Sequence, residues 1–414
     1  MVADAGVQPR SHPEALQFGH GTRRQPVPAR LVTGKLRGVD HDHVATCACG
    51  PCRGSRTGRS GSDDDHIRSG VHGSQYVGRV STPATVVAGV DFGDPAFAAD
   101  VRDGVARIED LMSDELGKAD ELMAEAVQHL FQAGGKRFRP LFTVLSAQLG
   151  PEPDAWQVTV AGAVIELVHL ATLYHDDVMD EAQMRRGAQS ANARWGNNIA
   201  ILAGDYLFAT ASRLVSRLGP DAVRVIADTF AQLVTGQMRE TRGAADHVDS
   251  VDHYLKVVYE KTACLIAASG RFGATFSGAN DEQIERLSRL GGIVGTAFQI
   301  ADDIIDIDSD PDESGKTPGT DLREGVHTLP VLYALRETGP DADRLRELLA
   351  GPIERDEDVA EALALLRRSP GLTKAKETVA SYAAQAREEL SHLPECPGRQ
   401  ALAVLVDYTI SREG

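Results

Sequence analysis

The segment "VTVAGAVIELVHLATLYHDDVMD", residues 158–180, decides how this chain is read. It is apolar nearly all round, as a helix buried inside a bundle must be. It then ends in Asp176, Asp177 and Asp180, with Arg185 and Arg186 close behind. At about 100° per residue, Asp176 and Asp180 fall one turn apart on one helical face. A second segment, "LGGIVGTAFQIADDIID" (290–306), repeats the design and ends in Asp302, Asp303 and Asp306. One Asp-Asp-x-x-Asp in a chain rich in aspartate carries little weight, but two copies, each closing a strongly apolar helix, carry much more. Acid at a helix C-terminus is opposed by the helix dipole unless positive charge compensates it. The simplest compensating charge is Mg²⁺, which takes oxygen ligands and is commonly shared with phosphate oxygens.

Bases complete the pattern. "AGGKRFRP" (133–140) places Lys136, Arg137 and Arg139 behind two glycines, Lys261 lies in "YEKTACL", and Lys316 lies in "SGKTPGTD". Arginine forks match phosphate geometry, and lysine supplies a point charge. Acids, bases and apolar walls together describe a site for a molecule with diphosphate ends and a hydrocarbon body.

Outward from these motifs, residues 86–414 carry apolar residues at helical spacing, as in "VRVIADTFAQLVTGQMRE", with breaks at Gly and Pro. Alternating strand patterns are almost absent, which predicts one all-helical domain of roughly a dozen helices. Residues 1–85 are rich in Gly, Arg, Ser, His and Pro and lack periodicity, so they are expected to be a disordered extension, either a targeting segment or a non-native start. "HDHVATCACGPC" within them hints at zinc but lacks a second paired knuckle. The formal charge of −17 disfavours nucleic acid as a partner. Five sparsely spaced cysteines indicate a reducing, cytoplasmic setting, and no uninterrupted apolar run predicts a transmembrane segment.

The motifs "GGKRFRP", "HDDVMDEAQMRRG", "GQMRE", "EKTACL", "FQIADDIID" and "GKTPGTDLREGVHTLP" occur together and in order, and over about residues 90–414 the chain resembles the trans-polyprenyl diphosphate synthases. The resemblance implies an all-α bundle around a deep central cavity, usually a homodimer. It also implies Mg²⁺-dependent condensation of an allylic diphosphate with isopentenyl diphosphate. Asp176, Asp180, Asp302 and, through neighbours or water, Asp306 would hold three Mg²⁺ ions, with Asp177 and Asp303 completing the metal set. Arg185, Lys261 and Lys316 would contact the allylic diphosphate. Lys136, Arg139, His169 and Arg186 would hold the diphosphate of isopentenyl diphosphate, and Thr262 and Gln299 would line the reacting region. Val326 stands where much of the family carries a further lysine.

Product length is a steric matter. Ala171 lies five positions before Asp176 and leaves room beneath the first motif, whereas Tyr174 is turned from that face. A product of roughly C30–C50 is expected, suited to a quinone side chain such as that of menaquinone, with peripheral membrane contact during its release. Other readings are a short-chain farnesyl or geranylgeranyl synthase, a class I terpene cyclase, and a non-catalytic subunit of a heteromeric synthase. The second acidic motif and the "GGKRFRP" pocket weigh against the cyclase, and the intact acids weigh against the subunit.

Overall fold

The computed structural model describes residues 84–245, 247–309 and 318–410. The extension, its cysteine–histidine segment and Lys316 lie outside the described residues.

Sixteen α-helices are found among the described residues. They are α1 (Pro95–Leu116), α2 (Glu121–Gln132), α3 (Phe138–Ala147), α4 (Trp156–Met179), α5 (Ala191–Trp195), α6 (Asn197–Val215), α7 (Pro220–Arg242) and α8 (Ser250–Val258), followed by α9 (Cys264–Phe276), α10 (Asp281–Asp308), α11 (Thr320–Glu324), α12 (Leu329–Ala334), α13 (Pro340–Leu348), α14 (Asp356–Arg368), α15 (Pro370–Ser391) and α16 (Pro397–Ile410). Among the described residues, extended structure is confined to two antiparallel two-stranded ribbons, β1 (Val86–Val87) with β2 (Val90–Asp91) and β3 (Met184–Arg185) with β4 (Ala188–Gln189). The all-helical expectation is met.

Local chemistry sets the helix starts. Asp94 accepts from the Ala96 and Phe97 amides just ahead of Pro95, and Asn280 and Gln283 form a reciprocal capping box at the head of α10. α4 runs through the main core, buried from Val158 to Ala171 on almost every side, and it packs on α6, α9, α1 and α3. Its length and apolarity would suffice to span a bilayer, as would those of residues 197–218, but 67% of the α4 window is buried inside the protein. α4 is therefore a core helix. α9 and α10 meet through glycines: a Cβ at Gly291 would press on the backbone of Ile266 and Ala267, so any larger residue must separate the helices. A second apolar cluster lies beneath α11–α14, and a third joins α8, α10, α12 and α15 around Ile300, Ile304, Leu329 and Leu372.

Candidate active site

The first acidic motif closes α4, which has no base in its last turn. Asp177 is fully buried, and Arg185 Nε donates to its Oδ1 at 2.6 Å. Asp176 is half-buried and Asp180 exposed. Burial pushes Asp176 up to about 6, with the charges of Asp180 and Glu240 adding to the shift and those of Lys261 and Arg185 opposing it. Arg185 and Arg186 leave the β3–β4 hairpin on separate errands. Arg186 (φ 54°) and Gly187 (φ 74°) form its left-handed tip. Arg186 Nη1 donates to the carbonyls of Leu130, at 3.0 Å, and Gly134.

The second motif closes α10, again with no base in the last turn. Asp303 is buried, and both of its oxygens are engaged by neutral donors: Gln299 Nε2 to Oδ1 at 3.0 Å and the Tyr254 hydroxyl to Oδ2. Asp306 accepts from the backbone amides of Thr320 (3.1 Å) and Asp321 (3.2 Å), so it receives the N-terminus of α11. Burial pushes Asp303 up to about 7. Burial, followed by the charges of Asp303, Asp306, Glu324 and Asp302, pushes Asp321 up to about 8. Asp321 is the aspartate of "GTD" and was not among the expected site residues. Its motif could have pointed to it, but its place against α10 depends on the chain folding back.

Glu324 ties the two motifs together. It feels the charges of Asp180 and Arg185 from the first, Asp306 from the second, and Lys261. Lys261 sits on a π turn, Tyr259–Ala263, inserted between α8 and α9. Such insertions often mark functional sites. Two ion pairs fasten the turn to the end of α7: Lys261 Nζ to Glu240 Oε2, and Arg239 Nε to Glu260 Oε2 at 2.8 Å. Gly236 permits this approach, since a Cβ there would lie 2.8 Å from the Lys261 amide nitrogen. Thr262 Oγ1 donates to Gln299 Oε1 at 3.2 Å.

The basic loop has a division of labour that its sequence did not show. Arg137, in the left-handed region at φ 50°, is structural: it donates to Glu109 (2.7 Å) and to the carbonyls of Gly134 (3.0 Å) and Phe131 (3.1 Å). It also lies 3.6 Å from Glu166, a buried acid that the sequence reading missed. Gly135 must stay bare, because a Cβ there would come within 2.9 Å of Arg186 Cζ. Among the described residues, Arg139 Nε is buried with no hydrogen-bond partner. His169 is held well below its usual range by burial and by the charges of Arg139, Arg186, Arg185 and Arg137, so it is neutral near pH 7. Arg139 and Arg186 thus act on His169 and on each other, with Glu166 opposing their repulsion, and Lys136 stands exposed on the same loop as Arg139.

Ala171 is fully buried in the main core. Tyr174 is buried too, and its hydroxyl donates to the Ala126 carbonyl at 2.5 Å, so it faces α2. Val326 is 41% exposed, and the neighbouring His327 ring contacts the Leu349 carbonyl at 3.1 Å. Neither supplies a cation to the acids.

The arrangement brings together two acidic helix ends, the bases Arg185 and Lys261, and a buried guanidinium nitrogen of Arg139. Among the described residues, no three acid, histidine or cysteine side chains close into a ready-made metal cage. Asp176, Asp180, Asp302 and Asp306 at the two helix ends are oxygen donors of the kind a hard cation takes.

The chain is 75% identical over 333 residues to a nonaprenyl diphosphate synthase of Mycobacterium tuberculosis, covering 80% of this chain and 99% of that relative. It is 61% identical to a dimethylallyltranstransferase of the same organism, covering 79% and 99%. Among solved structures, it resembles a geranylgeranyl pyrophosphate synthase from Corynebacterium glutamicum complexed with calcium and isoprenyl diphosphate, at TM-score 0.72 and 50% identity, covering 78% of this chain and 100% of that one. Residues 120–366 match the Polyprenyl synthetase family, and the chain belongs to that family.

Proposed function

We propose that this chain is a prenyltransferase that condenses an allylic diphosphate with successive isopentenyl diphosphates into a trans-polyprenyl diphosphate. The observation that carries this is the meeting of two acidic helix ends around Lys261 and Glu324, beside a separate pocket of Arg139, His169 and Arg186. One diphosphate belongs to each place. Asp176 and Asp180 from the first motif, and Asp302 and Asp306 from the second, would hold Mg²⁺, three ions in all. When bound, Mg²⁺ supplies positive charge to the diphosphate that departs from the allylic carbon. Asp177 and Asp303 hold their neighbours in place instead.

Arg185 and Lys261 stabilise the same leaving diphosphate as its C–O bond breaks, and preorganised charge of this kind costs no reorganisation at the moment of reaction. Arg139, Arg186, neutral His169 and Lys136 orient isopentenyl diphosphate, whose double bond attacks the cationic carbon. The released diphosphate, held beside the new cation, takes the proton that leaves. Apolar side chains of α4 and its neighbours keep water from the cation.

The product is expected at C45, within roughly C30–C50. This rests on the high identity to a nonaprenyl diphosphate synthase and on the small Ala171 beneath the first motif. It is suited to a quinone side chain. A homodimer is supported by the exposed apolar residues Ile201 and Leu202 on α6 and Val223, Val234 and Met238 on α7. The catalytic bundle is residues 86–414, with 1–85 an extension, and the setting is cytoplasmic.

The test is chromatography of products after incubation with Mg²⁺, farnesyl or geranylgeranyl diphosphate, and labelled isopentenyl diphosphate. A prenyl ladder ending at one dominant long length is expected. A cyclic product without label would overturn the reading, and a ladder stopping at C15 or C20 would keep the chemistry but overturn the chain length.

A further inference from the structure

Glu166 is an acid that the reaction described above leaves unused. It lies on α4, only 2% exposed, one helical turn before His169. Its Oε1 stands 3.6 Å from Arg137 Nη1. Arg137 has other partners to hold it in place. Its Nε donates to Glu109 at 2.7 Å, and its two other nitrogens donate to the carbonyls of Gly134 (3.0 Å) and Phe131 (3.1 Å). Arg186 is fixed in the same way, by the carbonyls of Leu130 and Gly134. Backbone carbonyls therefore place both arginines, and Gly134 serves the two of them. What Glu166 adds is charge. Burial lowers Arg139 and Arg186, and for each the Glu166 carboxylate is the largest charge acting the other way. A diphosphate bound by these bases shares them with Glu166, and repulsion between the two anions weakens its hold.

That weakening has a use. In each condensation the allylic C–O bond breaks, its carbon joins the terminal carbon of the isopentenyl double bond, and a proton leaves with the released diphosphate. The lengthened product therefore carries the diphosphate that came from isopentenyl diphosphate, still held by Arg139, His169 and Arg186. Before the next unit adds, that diphosphate must leave these bases for Lys261 and the two acidic motifs. Arginines at full strength would hold it back. We propose that Glu166 is an elongation residue: its charge loosens the hold of Arg139 and Arg186 on diphosphate, so that each lengthened product moves on to the next addition. This rests on the prenyltransferase reading and on isopentenyl diphosphate binding at these bases.

The test removes the charge and keeps the shape, as Glu166→Gln does. Calorimetry with isopentenyl diphosphate, in the presence of Mg²⁺ and an unreactive farnesyl thiodiphosphate, should show binding about tenfold tighter than wild type. Affinity for the farnesyl thiodiphosphate itself should stay within about twofold, since the charges that act on Asp176 are those of Lys261, Asp180, Arg185 and Glu240. Acid-quenched time courses from farnesyl diphosphate and labelled isopentenyl diphosphate then follow the succession of products. In Glu166→Gln the first addition should keep its rate within about threefold, while the C20 product accumulates ahead of longer chains. In wild type C20 should pass on without accumulating. A residue that only positioned the arginines would give the opposite, weaker isopentenyl diphosphate binding and no accumulation at C20. Glu166→Asp keeps the charge but draws it back by one methylene, so it should fall between wild type and Glu166→Gln. It carries the test should Glu166→Gln fold poorly. Unchanged or weaker binding in these variants would overturn the proposal, as would tighter binding with an unaltered succession of products. A wild-type protein that elongates nothing would remove the prenyltransferase reading, and this inference with it.

Discussion

The two acidic motifs look like copies in sequence but are built on different electrostatics. In the first, the middle acid Asp177 is fully buried against a full positive charge, Arg185 at 2.6 Å. In the second, among the described residues, the middle acid Asp303 is held by the neutral donors Gln299 and Tyr254. The last acids differ as well. Asp180 is exposed at the end of α4, whereas Asp306 receives the amides that open α11. Around the first motif, Lys261 and Arg185 soften the repulsion. Around the second, Asp303, Asp306, Glu324 and Asp302 all add to the upward push that burial gives Asp321. Among the described residues, the first motif carries more of its own compensation than the second.

The largest expected effect breaks the second motif at an outer position. Asp302→Ala should lower turnover at least about a thousandfold while leaving the helical circular dichroism intact. Near-normal condensation would remove Asp302 from the metal set.

The first motif is probed through its arginine. Arg185→Met leaves the buried Asp177 carboxylate without its charge partner, and chemical denaturation should show a loss of about 2 kcal/mol at neutral pH, less than for a fully buried pair because Arg185 is partly exposed. Burial already raises Asp177 against the pull of Arg185. An acid raised in the folded state binds its proton more tightly there than in the unfolded chain, so it destabilises above the folded value and ceases to do so below the unfolded one. The deficit should therefore shrink as the pH falls toward 4, and a deficit unchanged with pH would contradict the pairing.

The same sign governs the metal-free second motif. Asp303 is raised to about 7 and Asp321 to about 8, so their destabilising effect is absent near pH 4 and complete only above pH 8. Thermal stabilisation by Mg²⁺ with inorganic diphosphate should be larger at pH 8 than at pH 6, and calorimetry showing the reverse order would count against a cation held by the outer acids beside Asp303 and Asp321. The smallest effect concerns neither motif's charge. Ala171→Phe should shorten the dominant product by one or more C5 units with condensation retained, and an unchanged product distribution would move the floor of the cavity elsewhere.

Much of this was legible in the sequence, for physical reasons. A helix apolar on every side and ending in acid can only be a core helix with a compensated terminus, so α4 and α10 could be placed from pattern alone. Residue types also suggested phosphate chemistry at Lys136, Arg139 and Arg186, which the proposed function keeps. What was hidden is pairing across elements. Periodicity gives the face a residue occupies but not what stands opposite. Nothing local shows that Arg137 braces its own loop, that Glu166 lies under the arginines, or that Glu240 meets Lys261 across a π turn. Asp321 and Glu324 join the site only because α11 folds onto Asp306.

The central claim is that the outer acids of each motif hold metal and the middle acids hold protein. It is tested most directly by counting Mn²⁺ ions bound, by electron paramagnetic resonance, in the presence of an unreactive allylic thiodiphosphate, for the wild type, Asp302→Asn and Asp303→Asn. The account predicts that Asp302→Asn binds fewer ions and that Asp303→Asn keeps the wild-type number. Loss of an ion from Asp303→Asn, with none lost from Asp302→Asn, would contradict it.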